Sequence, residues 1–419
     1  MSTHDSPTRR EFFKRAAAGT AVLGMSAASY ARVVGANDRI RIAQIGCGNR
    51  GFGAHMAGVY KHAKEQNVDI VAICDVWKEH LDRATAKVNE WYGRAPLATT
   101  KYEEVLATKN VDAVMIASPD HQHCMHLEAA GKVGKDAYCE KPLAMNMEEL
   151  KSACNAVKAA DIVVQIGTQS RSTPALVGCR KLYQTGVLGK VSRVEQYRNG
   201  NRPNWYKRLV RLPIAKSQLD WQEFLKPRPD RPFDDLLFAG WYGYREFCSG
   251  SIGQFMSHFI DLVHFITGAK FPTSAVAMGD TFVWEDEYKF DCPDQVETTL
   301  IYPEGFMVQY GTNFGNGSGN RTVMCGTQGI MDLSKRSKPT VSGEGAYEKG
   351  TLGEAAAVEP VECPDHFLDW LQCLRSRKTP VAPIEAGYQH AVACILSDLA
   401  WETGRRQVYD QDRREIREG

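Results

Sequence analysis

The 419-residue chain lacks any apolar run of about 20 residues, the length a helix needs to cross a bilayer. It also lacks a C-x-x-C pair. Its 12 cysteines stand singly, and several (Cys47, Cys74, Cys124, Cys139, Cys154, Cys179) sit inside apolar runs, where a free thiol behaves as a small buried hydrophobe. That pattern argues against structural zinc or an iron–sulfur cluster and suits a chain that folds in a reducing compartment. Excess charge is missing too: 51 Lys plus Arg stand against 50 Asp plus Glu, with no basic run or basic–aromatic stripe. Nucleic acid is therefore not an expected partner. His121 and His123, with Asp120 beside them, could share a metal only on extended backbone, and no metal site is expected. What remains is an ordinary globular composition, 43% apolar and 24% charged, long enough for two hydrophobic cores.

The N-terminus reads S-P-T-R-R-E-F-F-K, followed by a weakly apolar Ala- and Gly-rich stretch from Ala16 to Ala31. This resembles a twin-arginine export signal, with Phe13 where the pattern has Leu; the alternative is an amphipathic N-terminal helix. Small residues at Ser29 to Ala31, or at Val34 to Ala36, offer two cleavage sites, so residues 1–36 are expected to be signal and linker. Cleavage after Ala31 removes four basic and two acidic residues, taking the formal charge from +1 to −1. The resemblance implies periplasmic export through the twin-arginine machinery, after folding in the cytoplasm.

From residue 37 to 167, short β-branched runs ("RIRIAQI", "VDIVAICDV", "VDAVMIAS", "DAYCEKP", "DIVVQIG") alternate with helical stretches. Such runs suit strands buried on both faces of a parallel sheet, and the rhythm predicts a doubly wound α/β Rossmann domain. Gly46, Gly48 and Gly51 form G-C-G-N-R-G between the first strand and its helix. There the glycines permit a tight turn, close approach of a pyrophosphate and close helix–strand packing, and the helix N-terminus offers N–H groups to phosphates. Asp75 follows the second strand, 24 residues beyond Gly51. It is placed to accept from ribose hydroxyls and to repel a 2′-phosphate, favouring NAD over NADP; a strand-end turn or helix cap is the alternative.

Two further stretches, "ASPDHQH" and "CEKPLAMNMEEL", join "CDV" and the glycine turn in a pattern that resembles the glucose–fructose oxidoreductase/inositol dehydrogenase (Gfo/Idh/MocA) family. The resemblance runs from about Arg39 to Arg405. It implies a nicotinamide cofactor along the carboxyl edge of the sheet and a lysine at the substrate, here Lys141. Glu140 and Pro142 would shape the turn beneath the nicotinamide. Asn49 and Arg50 would join the glycines, and Ser118, Pro119, His121 and His123 would line the cofactor's other side.

Beyond residue 167 longer strands appear ("KVSRVEQYRN", "QVETTLIY", "GFMVQYGTNF", "RTVMCG"), two of them joined by a P-E-G turn. The expectation for residues 168–419 is an α+β domain with a large open, mostly antiparallel sheet and C-terminal packing helices. In the family this sheet carries the substrate site and packs against a second subunit, which implies a homo-oligomer. In "SIGQFMSHFIDLVHFITG" the apolar residues nearly surround the helix axis, yet Gln254, Ser257, His258, Asp261 and His264 fall on one face. Such a buried polar stripe faces either a polar site or a satisfied internal network. The family places G-x-x-x-D-x-G-x-H-x-x-D here with the His as base, which carries over to His258, with Asp261 as the trailing acid. Gln254 replaces the usual Asp and Met256 the usual Gly. Gln254 binds hydroxyls but cannot share a proton. Gln169 and Arg171 match a polar family segment near the site. Asn199 and Asn201 are candidates for sugar hydroxyls and Trp205, Tyr206, Trp241, Tyr242 and Tyr244 for sugar rings; packing is the alternative for each.

The expected activity is NAD-dependent oxidation of a hydroxyl on a sugar, glycoside or polyol, with the cofactor tightly held and recycled in place. Lys141 and His258 carry the chemistry, and Gln254, Asp261, Gln169 and Asn199 bind substrate. Two alternatives stand beside it: NAD-dependent glycoside cleavage by transient oxidation, elimination and re-reduction, and a non-catalytic sugar- or nucleotide-binding module.

Overall fold

The computed structural model describes residues 38–202, 212–285, 288–345 and 352–419. The N-terminal segment 1–36, Trp205 and Tyr206 lie outside the described residues. Strands β1 (Ile40–Ile45), β2 (Val68–Cys74), β3 (Leu97–Thr99), β4 (Ala113–Ile116), β5 (Asp136–Cys139) and β6 (Val164–Ile166) form a parallel sheet in the order β3-β2-β1-β4-β5-β6. Every residue of β4 is buried, as its unbroken apolar run requires. The helices between strands are set by local chemistry. Asn146 caps Met147–Ala160 by accepting from the Glu149 N–H at 2.9 Å, and Asp161 closes that helix in the left-handed region at φ +51°.

The second sheet has ten strands. It is built on β7 (Val191–Asn199), β8 (Ser274–Asp280), β9 (Gln295–Tyr302), β10 (Phe306–Asn313), β11 (Arg321–Gly326) and β12 (Gly329–Asp332). β13 (Thr340–Gly343) and β14 (Ala356–Ala357) extend one edge, and β15 (Gln407–Asp410) and β16 (Glu415–Glu418) the other. Only the β7–β10 pairing is parallel. The P-E-G turn joins β9 to β10, pairs Tyr302 with Phe306 and needs Gly305 at φ +86°. The helix Ser257–Thr267 lies across the inner face, where Gln196 of β7 donates to the Phe259 carbonyl at 2.8 Å.

The two sheets share one core. Val114, Ile116, Leu143 and Ile166 belong to the same buried cluster as Ile252, Met256, Leu262 and Val392. The C-terminal helices stitch the halves together rather than staying with the second sheet. His366–Ser376 packs Trp370 and Leu371 onto the far face of the parallel sheet, and Ile384–Thr403 is buried along most of its length between the two. A rigid junction therefore stands at the carboxyl ends of β1, β4 and β5, where ligands bind in sheets of this winding.

Candidate active site

The glycine turn is set by close backbone contacts. Gly46 sits at φ +83°, and a Cβ there would stand 2.6 Å from the Ala117 carbonyl. At Gly51 a Cβ would meet the Gly46 oxygen at 1.8 Å. Gly48 differs, because a Cβ there would find nothing nearer than His80 at 3.6 Å. Two glycines are thus demanded by packing, while the third leaves open space for a ligand. The helix that follows, Gly51–Met56 with π geometry running into Ala57–Gln66, begins at that space, and the first N–H groups of a helix are the ones that can meet a phosphate.

Asp75 is buried at the end of β2. Its Oδ2 accepts from the Cys47 N–H at 2.6 Å and its Oδ1 from the Trp77 N–H at 2.9 Å, with His80 Nδ1 at 3.4 Å. The carboxylate ties the glycine turn to the strand end and also borders the cavity, so the turn role and the cavity position coincide.

Glu140 is the hub beneath the site. Its Oε1 accepts from Arg50 Nε at 2.6 Å, His55 Nε2 at 2.9 Å and Gln169 Nε2 at 3.1 Å, and its Oε2 from the Lys141 N–H at 3.2 Å. Burial alone would raise its pKa. The Arg50 guanidinium and the His55 bond outweigh that and hold the carboxyl well below its ordinary range. A side chain at Gly167 would strike this carboxylate at 2.6 Å, so that glycine is part of the same arrangement.

Lys141 leaves the end of β5 and reaches the second half of the chain. Its Nζ donates to the Gln254 carbonyl at 2.8 Å and to Gln254 Oε1 at 3.2 Å. The amide nitrogen of Gln254 in turn donates to Asp120 Oδ1, whose other oxygen accepts from the Ser249 N–H at 3.0 Å. Gln254 therefore stands between a lysine and a carboxylate, and the acid missing at position 254 is found in Asp120, on the far side of the Gln254 amide. Burial lowers the Lys141 pKa and raises that of Asp120. The π-helical segment Ile252–Met256 sets Gln254, and the next turn places His258 on the same wall. Burial, then the Lys141 charge, push the His258 pKa well below its ordinary value, and its Nδ1 is buried without a partner.

These groups line one cavity of about 460 Å³. Its lining includes Gly46, Gly48, Asn49 and Asp75, then Ser118, Pro119, Asp120 and His123, and also Glu140, Lys141, Gln254 and His258, with Arg50 of the glycine turn joined to Glu140 at 2.6 Å. Phe224, Phe238, Trp241 and Tyr242 roof it, with the Tyr242 hydroxyl 3.5 Å from Gln254 Oε1. The remaining sequence candidates lie elsewhere. His121 turns from the cavity into an aromatic cluster, its Nε2 2.9 Å from the Phe224 carbonyl. Asp261 is fully buried in a bidentate pair with Arg171 at 2.8–3.0 Å. Gln169 braces Tyr138 and Glu140, and Asn199 donates to Ser318 Oγ at 3.0 Å. His123 lines the cavity while its two nitrogens meet the Pro142 and Ser118 carbonyls at 2.7 and 2.8 Å. In the sequence Asp120 stands out only as a neighbour of two histidines at metal-ligand spacing, although it lies inside the same S-P-D-H-Q-H motif; in the fold it is a side chain of the cavity wall. No cluster of three metal-ligating side chains occurs among the described residues.

An open glycine beside a helix N-terminus, with an acid at the end of the next strand, fits a dinucleotide. Residues 40–168 match the model of the oxidoreductase family with an NAD-binding Rossmann fold, and residues 222–332 match the Gfo/Idh/MocA C-terminal domain. The chain belongs to the Gfo/Idh/MocA family. Residues 40–168 are accordingly an NAD-binding Rossmann domain, and the roof formed by residues 224–242 falls within the family's second domain. Among curated relatives it is 28% identical to the levoglucosan dehydrogenase of Pseudarthrobacter phenanthrenivorans over 43% of this chain and 39% of that protein. It is 34% identical to a glycosyl hydrolase family 109 protein of Shewanella over 32% of this chain and 28% of that one. The matched segments thus span well under half of these relatives. Among solved structures, the Bordetella pertussis WlbA dehydrogenase with NADH and UDP-GlcNAcA superposes with a TM-score of 0.67 at 20% identity, over 89% of this chain and all of that one. That likeness speaks to the fold.

Proposed function

We propose that this protein is an NAD-dependent oxidoreductase acting on a hydroxyl of a sugar, glycoside or polyol. The observation that carries the reading is the meeting of Lys141 and His258 on one wall of the cavity that holds the glycine turn. When bound, NAD supplies a hydride acceptor. His258, kept neutral by burial, takes the proton of the substrate hydroxyl, while Lys141 donates to the same oxygen and stabilises its developing negative charge. Gln254 and Asp120 hold the lysine in place, and the aromatic roof excludes water from the reacting carbon.

The roof also supports a tightly held cofactor. Combined with the twin-arginine-like N-terminus, this points to a periplasmic protein exported already folded, with its nucleotide inside and recycled in the same site. The outer face of the second sheet supports a homo-oligomer: Val276, Met278, Ile301 and Met307 are exposed there, with Ile301 paired to Met307 across β9–β10. The test is to purify the mature protein, denature it and assay the supernatant for nicotinamide cofactor. Near-stoichiometric NAD supports the reading; no cofactor, and no binding of added NAD or NADP, removes it.

A second reading, redox-neutral glycoside cleavage, draws support from the 34% identity to the family 109 protein. There Lys141 and His258 would keep their roles at the hydroxyl while hydride is lost transiently to bound NAD; a neighbouring C–H would become acidic, the glycosidic bond would be lost by elimination, water would add across the resulting double bond and hydride would return. Release of an aglycone with no net reduced cofactor separates it from the first reading. A binding module that neither reduces cofactor nor releases aglycone is the remaining outcome.

A further inference from the structure

Several partly buried arginines in this fold hold carboxylates: Arg171 has Asp261, Arg228 has Glu149, Arg231 has Glu246 and Arg245 has Asp398. Arg198 and Arg336 do not. Arg198, on the inner face of β7, lies 5.1 Å over the Phe255 ring and, among the described residues, its side chain donates to the Asn199 carbonyl and Asn320 Oδ1. Arg336, beyond β12, lies 4.9 Å over the Phe259 ring and donates to Ser170 Oγ at 2.9 Å. Among the described residues neither has a carboxylate within ion-pair distance. The nearest acid to act on Arg336 is Asp261, already taken by Arg171.

The two rings fix where these cations stand. Phe255 follows Gln254 in sequence and Phe259 follows His258, so each arginine packs on a ring one helix position away from a cavity-lining residue, just outside the lining itself. The charge of Arg336 reaches His258. Burial, and after it the charge of a neighbouring arginine (Arg202 for Arg198, Arg198 for Arg336), hold both guanidinium groups below their ordinary pKa. Like charges brought together and half desolvated without a counter-ion cost stability, and proteins normally pair them. The planar guanidinium fork is the side chain best matched to a carboxylate or phosphate.

We propose that Arg198 and Arg336 form an anion subsite beside His258, so that the substrate is an acidic sugar carrying a carboxylate or a phosphate away from its reacting hydroxyl. This rests on the reading of the cavity as a sugar site and narrows its substrate class. Each guanidinium uses Nη1 for its bonds to the described residues, which leaves the Nε and Nη2 donors of both for the anion.

The test is isothermal titration of the NAD-loaded protein at low ionic strength with glucose, glucuronate and glucose 6-phosphate. At least one acidic sugar should bind 10-fold or more tighter than glucose, and which one it is tells carboxylate from phosphate. The ratio of acidic to neutral affinity should collapse in Arg336→Gln and Arg198→Gln, and be partly kept in Arg336→Lys and Arg198→Lys. In the wild-type protein it should fall with rising salt. Equal binding of all three sugars overturns the proposal, as does a preference that survives both glutamine variants. Should those variants not fold, a salt-insensitive preference in the wild-type protein overturns it equally. Absorbance of reduced nicotinamide is read on the same samples. A clear acidic preference with no reduction of cofactor sinks the oxidoreductase reading and keeps the subsite; reduction by glucose without a preference does the reverse.

Discussion

Replacing Glu140 by Gln keeps its size and removes one negative charge beneath the cavity. The carboxylate gathers four donors: Arg50, His55 and Gln169 on one oxygen and the Lys141 N–H on the other. An amide offers one acceptor oxygen, so in either orientation an NH2 group faces a donor. Hydrogen bonds to a buried charged acceptor contribute about 1.5–3 kcal/mol each, and Gln recovers part of them. The Arg50 side chain is 44% exposed, so its ion pair is discounted to about 1 kcal/mol or less. The expected loss is about 2–4 kcal/mol at neutral pH, read by urea denaturation followed through tryptophan fluorescence. Because the folded pKa of Glu140 lies below its ordinary value of 4.5, the carboxylate's contribution is fully present above that value and is lost as pH falls through the folded pKa. The gap between wild type and Glu140→Gln should therefore be flat above about pH 5 and close at lower pH. NAD affinity should fall as well, since Arg50 loses the group that orients it. A gap under about 0.5 kcal/mol, or one unchanged down to pH 3, would refute the idea that Glu140 organises this site as a charged hub.

Lys141→Met and His258→Asn should each lower turnover by about 10²–10⁴-fold while leaving cofactor binding in place, as measured by steady-state kinetics beside NAD titration. Gly46→Ala forces a Cβ to within 2.6 Å of Ala117 and a side chain into the left-handed region, so it should abolish NAD binding and lower the melting temperature. Asp261→Asn leaves Arg171 buried beside a neutral partner and should cost about 3–5 kcal/mol in the same denaturation assay. With the His258 pKa held well below its ordinary 6.5, the acid limb of kcat/KM should have its midpoint below pH 6.5; a midpoint at or above that value contradicts a neutral His258.

The parallel sheet was legible because buried strands must be nearly continuous apolar runs, and "VDAVMIAS" and its neighbours announce themselves. The P-E-G hairpin was legible for the same reason, from turn chemistry between two β-rich runs. The polar stripe on Ser257–Thr267 was harder, since period alone cannot say what a stripe faces. The structure divides it. Gln254 and His258 look into the cavity, while Asp261 turns to Arg171 and His264 to the Tyr302 hydroxyl at 2.8 Å. A site and an internal network share one face, separated by a single turn. Nothing local in the sequence marks Asp120 as part of the lysine's surroundings, because its partner Gln254 lies 134 residues away. His121 and His123 read alike in sequence, yet two residues on a helix differ by about 200° in direction, which sends one to the cavity and the other to Phe224. Arg198 and Arg336 carry no local signal at all; only the missing carboxylate marks them.

The central claim is that one cavity joins the glycine turn to Lys141 and His258 for hydride transfer from a sugar hydroxyl. The direct measurement is the absorbance of reduced nicotinamide when a panel of neutral and acidic sugars is added to the NAD-loaded protein, beside Lys141→Met loaded to the same extent. Reduced cofactor should appear on the protein with at least one sugar, and that signal should be lost in the variant. No reduction with any sugar while NAD stays bound, or equal reduction by the variant, would contradict the claim.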